Sequence, residues 1–325
     1  MSKSMKIWII VAIVLILIGG LIFGGTMSAI KWDFKKLGTN KIETNTYEVT
    51  EKFKNISIDT ESTDIIFLPS EDKECKVVCT EEANAKHSVK VENNSLVIEL
   101  ENKKEWYENI GIHVGDLEMT VYLPKSEYGD LTIEVTTGDI NIPEVFEFNS
   151  IDMNLTTGDV ECFASGKEFL KTKVSTGDIV VKNINTKSLL LTGTTGDMKV
   201  ESVDCDGDVT INVSSGKVYM SEVECDNLDS NGTTGDATLK NVVAKSNLLV
   251  KRSTGDVSLD KSDAQSIYIK ATTGNVTGSL LSNKVFTTNV TTGKVNVPKT
   301  TTGGLCEINV TTGSVNITIE DYLVL

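Results

Sequence analysis

Histidine and arginine are nearly missing from this chain. Its 325 residues include two histidines, His87 and His113, and one arginine, Arg252. A hydrolase triad or a histidine-rich metal centre therefore has little to build from. Proline is also scarce, with four residues, so few points interrupt a strand. Net charge is −15, which excludes nucleic acid as a natural partner. In the second half no apolar period of 3.6 is present, which excludes a helical repeat. The 39% apolar content is ample for a sizeable core.

What the chain does have is one phrase repeated ten times, a hydroxyl pair followed by glycine and usually aspartate, as in Thr136-Thr137-Gly138-Asp139. The glycines are Gly138, Gly158, Gly177, Gly196, Gly216, Gly235, Gly255, Gly274, Gly293 and Gly313, separated by 19 or 20 residues throughout. That is a structural period. Seven residues before each glycine stands an apolar residue or cysteine, from Leu131 and Ile151 to Cys306; two after it stands another, from Ile140 to Val315. Apolar slots two apart, as in Leu131, Ile133 and Val135, predict half-buried strands. The phase slips at the glycine, where the backbone can turn between strands. The predicted fold is all-β, a parallel β-helix or solenoid of about ten 19–20-residue coils spanning residues 129–325. At the spacing of paired strands, ten coils make a rod of about 48 Å. The residue just before each glycine is expected to continue the inward phase as a hydroxyl ladder, and the one before it to face water.

Ahead of the repeats, Ile7 to Phe23 is an apolar run with two glycines, extended through Ile30. It is long enough to cross a bilayer as a helix, and residues 7–30 are read as a transmembrane anchor, with a cleaved signal peptide as the competing reading. Lysines flank it on both sides, so charge alone does not orient it. The acidic, Thr-rich remainder favours residues 1–6 inside and the solenoid outside. Residues 31–50 are polar and read as a stalk. Residues 51–128 read as an irregular β region that caps the solenoid, and they begin with a degraded coil: Ile56 and Ile58, then Ser62-Thr63-Asp64, then Ile65 and Phe67. Thr63 stands where the glycine should be. At the far end, the apolar terminus Asp321 to Leu325 is expected to tuck over the last coil or to pair with a partner.

Asp139, Asp159, Asp178, Asp197, Asp236 and Asp256 follow their glycines. Stacked one strand apart they repel, unless each accepts turn amides or the column binds a cation. They are the candidate binding residues. A tighter acidic group, Asp204 and Asp206 with Glu224 and Asp226, is the candidate metal site, its oxygen ligands suiting Ca²⁺ against the plainer reading of a solvated acidic edge. No other cofactor is expected. Cys162 and Cys306 occupy apolar slots. Cys205 and Cys225 stack in adjacent coils near disulfide range, with bridged and free states both open, and Cys75 and Cys79 could pair locally. Arg252, with Lys251 beside it and Asp256 near, is the best catalytic candidate. Its plainer reading is an out-turned or bulged surface arginine.

An N-terminal anchor, the phrase Phe53-Lys54-Asn55-Ile56-Ser57-Ile58 and the Thr-Thr-Gly-Asp repeats together resemble the bacterial adhesin-like family of β-strand repeat proteins, which includes LiaG-like membrane-anchored members. The resemblance covers roughly residues 50–325 and carries no catalytic residues with it. It implies a non-enzymatic cell-surface solenoid, single-pass in the cell membrane, acting as an adhesin-like binding or scaffold module. Cell-wall glycan or an envelope protein would be its partner. An accessory role in envelope-stress signalling is the alternative. A polysaccharide-active enzyme ranks third, disfavoured by the single arginine and scarce histidine.

Overall fold

The computed structural model describes residues 3–32, 41–102 and 115–320. His113, residues 33–40 of the expected stalk and the apolar terminus Asp321 to Leu325 lie outside them. Helix α1 (Lys3–Ala29) is apolar and largely exposed, with only Met27 buried at its C-terminal end, where Phe23 meets Trp32. By length and composition it can cross a membrane. From residue 41 onward the described chain is strand and turn.

Every glycine-marked coil has a strand ending in the hydroxyl pair, a corner at the glycine, and a second strand. Neighbouring coils pair in parallel and stay in step around the glycine corner, with local register shifts elsewhere. Ile151 lies on Leu131 and Leu170 on Ile151, and beyond the corner Val160 lies on Ile140 and Ile179 on Val160. The expected ladders thus form, and the apolar slots fill one continuous core. Exceptions are confined to Gly278 and the Gly293 coil, where Phe286 and Val297 are half-buried and Val295 is exposed.

The corner explains the glycine. Gly196 has φ 136°, and a Cβ there would overlap the carbonyl oxygen of Gly177 beneath it. Each repeat glycine meets the coil below in the same way. Positive φ excludes most side chains, and the close approach excludes the rest. A second corner lies six residues on, at Asn183, Ser202, Glu222, Asn241 and Lys261, all with φ between 50° and 56°. Glycine is absent there because the left-handed helical region tolerates these residues at a modest cost.

The hydroxyl pair departs from expectation. Thr136 and Thr137 are both exposed, as are Thr156 and Thr157 and Thr272 and Thr273. The last inward residue stands three before the glycine, because the backbone has already begun to turn. Two hydroxyl columns, rather than one, therefore face water.

The supposed stalk ends early. Its last part is β1 (Ile42–Val49), a strand of the N-terminal cap. Next come β2 (Asn55–Ser62) and β3 (Asp64–Pro69), which are the degraded coil. They keep register with the first glycine-marked coil, Ile56 on Leu131, Ser62 on Thr137 and Ile65 on Ile140. After β4 (Cys75–Glu82) and β5 (Ala85–Glu92), the strands β6 (Ser95–Asn102) and β7 (Glu118–Leu123) stack in parallel on the outer side of β2 and β3. Over these lie β5 on β6, β4 on β7 and β1 on β4, all antiparallel. This antiparallel layer covers the parallel edge.

Coil order is also exchanged at the far end. Strand Gly304–Thr312 pairs with the Ile267–Thr273 part of the preceding strand, and Lys284–Thr292, earlier in sequence, lies outside it. The inward residues of the two coils account for this. Gly313's coil offers Cys306, Ile308, Val310, Val315 and Ile317, all buried. Gly293's coil offers Phe286, Thr288, Val290, Val295 and Val297. Placing Thr288 at the open end leaves its hydroxyl near water, where an inner place would enclose it.

Gly196→Ala should therefore cost at least about 2–3 kcal/mol in urea unfolding, from strain and overlap together. Lys261→Gly, at a corner with no such overlap, should be neutral or stabilising by up to about 1 kcal/mol. Equal effects would sever the link between the close carbonyl approach and the repeat glycine.

Candidate functional site

The hydroxyl columns and the aspartates share one exposed corner. The aspartates do accept amides, but from the next coil. Asp159 N–H donates to Asp139 Oδ1 at 2.8 Å, Asp178 to Asp159 at 2.7 Å and Asp197 to Asp178 at 2.7 Å. The series starts at Asp64, which accepts from Asp139 at 2.9 Å, and after Lys217 it resumes with Asp256 donating to Asp236 at 2.9 Å. Each bond sets an amide dipole against a carboxylate and relieves the like-charge stacking. One oxygen of each aspartate is thus committed to the fold. Charge on the corner is repetitive, with no single focus.

The acidic patch forms in register, Asp204 on Glu224. Lysines meet it. Lys245 bridges Asp226 at 3.1 Å, and the hydrogen bond to Asp226, helped by Asp206 and Asp204, raises its ammonium pKa. Lys167 and Lys187 line a shallow pocket of about 250 Å³ together with Asp204 and Asp206. The oxygens expected to gather a calcium ion already stand in a mixed-charge surface.

Arg252 turns inward, unlike either sequence reading. It is 2% exposed and occupies space left by Gly232, donating to the Ser230 carbonyl at 2.9 Å, Ser230 Oγ at 2.9 Å and the Lys251 carbonyl at 2.7 Å. Burial pulls its pKa down to about 10. No polysaccharide can reach it there. The six cysteines are free and buried. Cys75 and Cys79 lie four apart on one face of one strand, about 13 Å from each other, too far to bridge. Cys205 and Cys225 sit in adjacent coils, and burial pushes the Cys225 thiol up to about 12.

One cluster escaped the sequence reading. Glu81 on β4 accepts through Oε2 from the His87 backbone N–H at 2.6 Å and stands 2.7 Å from His87 Nδ1. Its Oε1 accepts from Asn45 at 2.7 Å and Tyr47 at 3.0 Å, both on β1. Across the ring, His87 Nε2 lies 2.9 Å from Thr60 Oγ1, which is bonded to Thr63 at 3.2 Å. Thr63, in the slot that glycine fills elsewhere, turns its hydroxyl into this network. The chain of carboxylate, imidazole and hydroxyl looks like an acid-base relay, but Glu81 and His87 side chains are each 2% exposed. Cys79 is close enough to complete a three-ligand metal cluster. Both Glu81 oxygens nevertheless already accept two hydrogen bonds each, so the cluster joins cap to coil as a hydrogen-bond hub. The rarity of histidine marks His87 in the sequence, but nothing there pairs it with Thr60.

The profile of the family described as Toastrack DUF4097 matches residues 53–211 and 204–324. No curated protein matches the chain. Among solved structures, one named "putative lipid binding protein" from Parabacteroides distasonis is 17% identical with a TM-score of 0.50, over 74% of this chain and 98% of that one. A "putative adhesin" from Bacteroides fragilis is 12% identical with a TM-score of 0.33, over 86% and 97%. Another from Parabacteroides distasonis is 14% identical with a TM-score of 0.36, over 86% and 98%. The first of these shares the fold.

Burial raises the Glu81 pKa, but the hydrogen bonds from His87, Asn45 and Tyr47 outweigh it and hold the carboxyl below its ordinary value. The stability it contributes is complete above the ordinary glutamate pKa of about 4.3 and is lost as pH falls through the lower folded value. Glu81→Gln should cost about 2–4 kcal/mol at pH 7 and show a shallower loss than the native chain as pH falls below about 4.3. Parallel acid profiles in urea unfolding would refute this role.

Proposed function

The chain belongs to the Toastrack DUF4097 family, and from that premise we propose that it is a non-enzymatic surface rod, held to the membrane by α1, that binds cell-wall glycan or an envelope protein. What supports this reading is the exposed corner, two hydroxyl columns beside a column of aspartates broken at Lys217, Asn275, Lys294 and Ser314, repeated at strand spacing from coil to coil. Such a surface offers hydroxyls and the second aspartate oxygens to a partner that is itself extended and repetitive. Many weak contacts then act together once the first is made. In this reading the N-terminus lies inside and the rod outside, in keeping with the acidic, Thr-rich character of the sequence after α1.

Accessory action in envelope-stress signalling is the second reading. Gly20 and Gly24 lie one turn apart on α1, and a Cβ at either would meet nothing within 4 Å. That face is open to another membrane helix.

Full-length protein in nanodiscs should co-sediment saturably with purified cell-wall sacculi and release no soluble sugar. Changing Asp159, Asp178 and Asp197 together to Asn should weaken retention several-fold. Loss of all retention by the native protein would abandon the glycan-facing rod and move the weight to a membrane partner; sugar release would contradict the non-enzymatic reading.

A further inference from the structure

The regular coils repeat one surface, and the exchange of coil order at the far end breaks that regularity. Residues 281–284, where the chain departs for the outermost coil, and residues 302–304, where it returns, stand over the flank formed by residues 243–245 and 263–265. Between them is an open pocket of about 670 Å³. Lys284, paired with Gly304 across the two coils, borders it with a side chain 2% exposed, its Nζ 2.5 Å from Asp263 Oδ1 and 2.5 Å from Ser282 Oγ. Asp263 Oδ1 also accepts the Ala264 N–H at 2.7 Å. At the rim Lys245 is paired with Asp226. Each cation in the wall thus has its own carboxylate.

We propose that this pocket binds one or two units of a neutral saccharide, an inference that rests on the reading of the rod as a glycan-binding module. Charge decides against an anion, because a phosphate or uronate would have to compete with Asp263 for a buried ammonium already engaged. The other polar groups, Gln265, Ser282, Asn283 and Thr302, each combine donor and acceptor capacity, which is what vicinal hydroxyls require. Ala244, Ala264 and Leu281 supply apolar lining for the C–H face of a ring, and Gly303 and Gly304, whose backbones press on the carbonyls of Asn283 and Gln265, add no side chains to it. The volume lies within the range of small-ligand pockets. Sequence inspection does not reveal the pocket, since the exchanged coil order decides which of its two loops stands against residues 263–265.

The test uses full-length protein in nanodiscs, titrated with N,N′-diacetylchitobiose and, as the charged control, digalacturonate, by calorimetry. Chitobiose should bind the native protein, digalacturonate at least about tenfold more weakly. Thr302→Tyr, which fills the pocket, should raise the chitobiose Kd at least tenfold, and Gln265→Ala about threefold or more. Both variants leave the Lys284–Asp263 pair intact, and an unchanged melting temperature would verify their fold. No chitobiose binding, tighter digalacturonate binding, or native affinity in Thr302→Tyr would overturn the pocket assignment. Retention of the native protein and of Thr302→Tyr on sacculi would then show that the rod reading stands without it, whereas loss of native retention would remove the rod reading itself.

Discussion

Glycine stacked on a carbonyl is the contact on which the architecture depends. At each repeat corner the backbone of one coil approaches the coil beneath so closely that a Cβ has no place. This contact sets coils in register without offset, because a slip of one residue would drive a side chain into the carbonyl. Register in turn aligns the apolar slots into ladders and places every aspartate where the amide of the next coil can reach it. The second corner has no comparable approach. Its side chains vary from Asn to Lys, and what they share is only a tolerated positive φ.

A stack built this way has a weakness at each end, where a parallel edge is left unpaired. The chain meets it twice by the same manoeuvre. Near the start, β2 and β3 lie between β6 and β7 on one side and the first glycine-marked coil on the other. Near the end, the Gly313 coil lies between the Gly274 and Gly293 coils. In both places the coil nearest the described chain end is paired on both edges, so fraying must begin with a coil held at both its chain ends. The N-terminal end is further sealed by antiparallel strands joined through Glu81 and His87, and the hydrogen bonds to the ionised Glu81 carboxyl make the seal sensitive to acid.

Periodic contacts were legible in the sequence and singular ones were not. Ten copies of a phrase reveal inward and outward positions by comparison, since a slot that is apolar ten times is not apolar by accident. The hydroxyl beside the glycine breaks the pattern because the backbone is already turning there, where period two no longer holds. Arg252 defeated the same method for a different reason: one exceptional side chain in an inward slot can turn out or stay in, and the hole at Gly232 that receives it lies one coil away. Glu81 with His87 and Lys284 with Asp263 each meet through the course of the chain at an end of the stack, and no spacing in the sequence encodes that course.

The same distinction bears on what the rod can recognise. A corner that repeats from coil to coil offers any partner equivalent seats along its length, which favours extended polymers and accumulates weak contacts. It selects poorly among the units of such a polymer, because most seats differ from their neighbours in little but the residue after the glycine. Selection requires a place where the repeat is broken and where polar groups are held in one arrangement by buried partners. Among the described residues the cap network is held in that way but is closed to ligands, whereas the pocket beside Lys284 is held and open. Binding along the corner and choice at the tip would then come from different parts of one stack, the first from its regularity and the second from the single exchange of order at its far end.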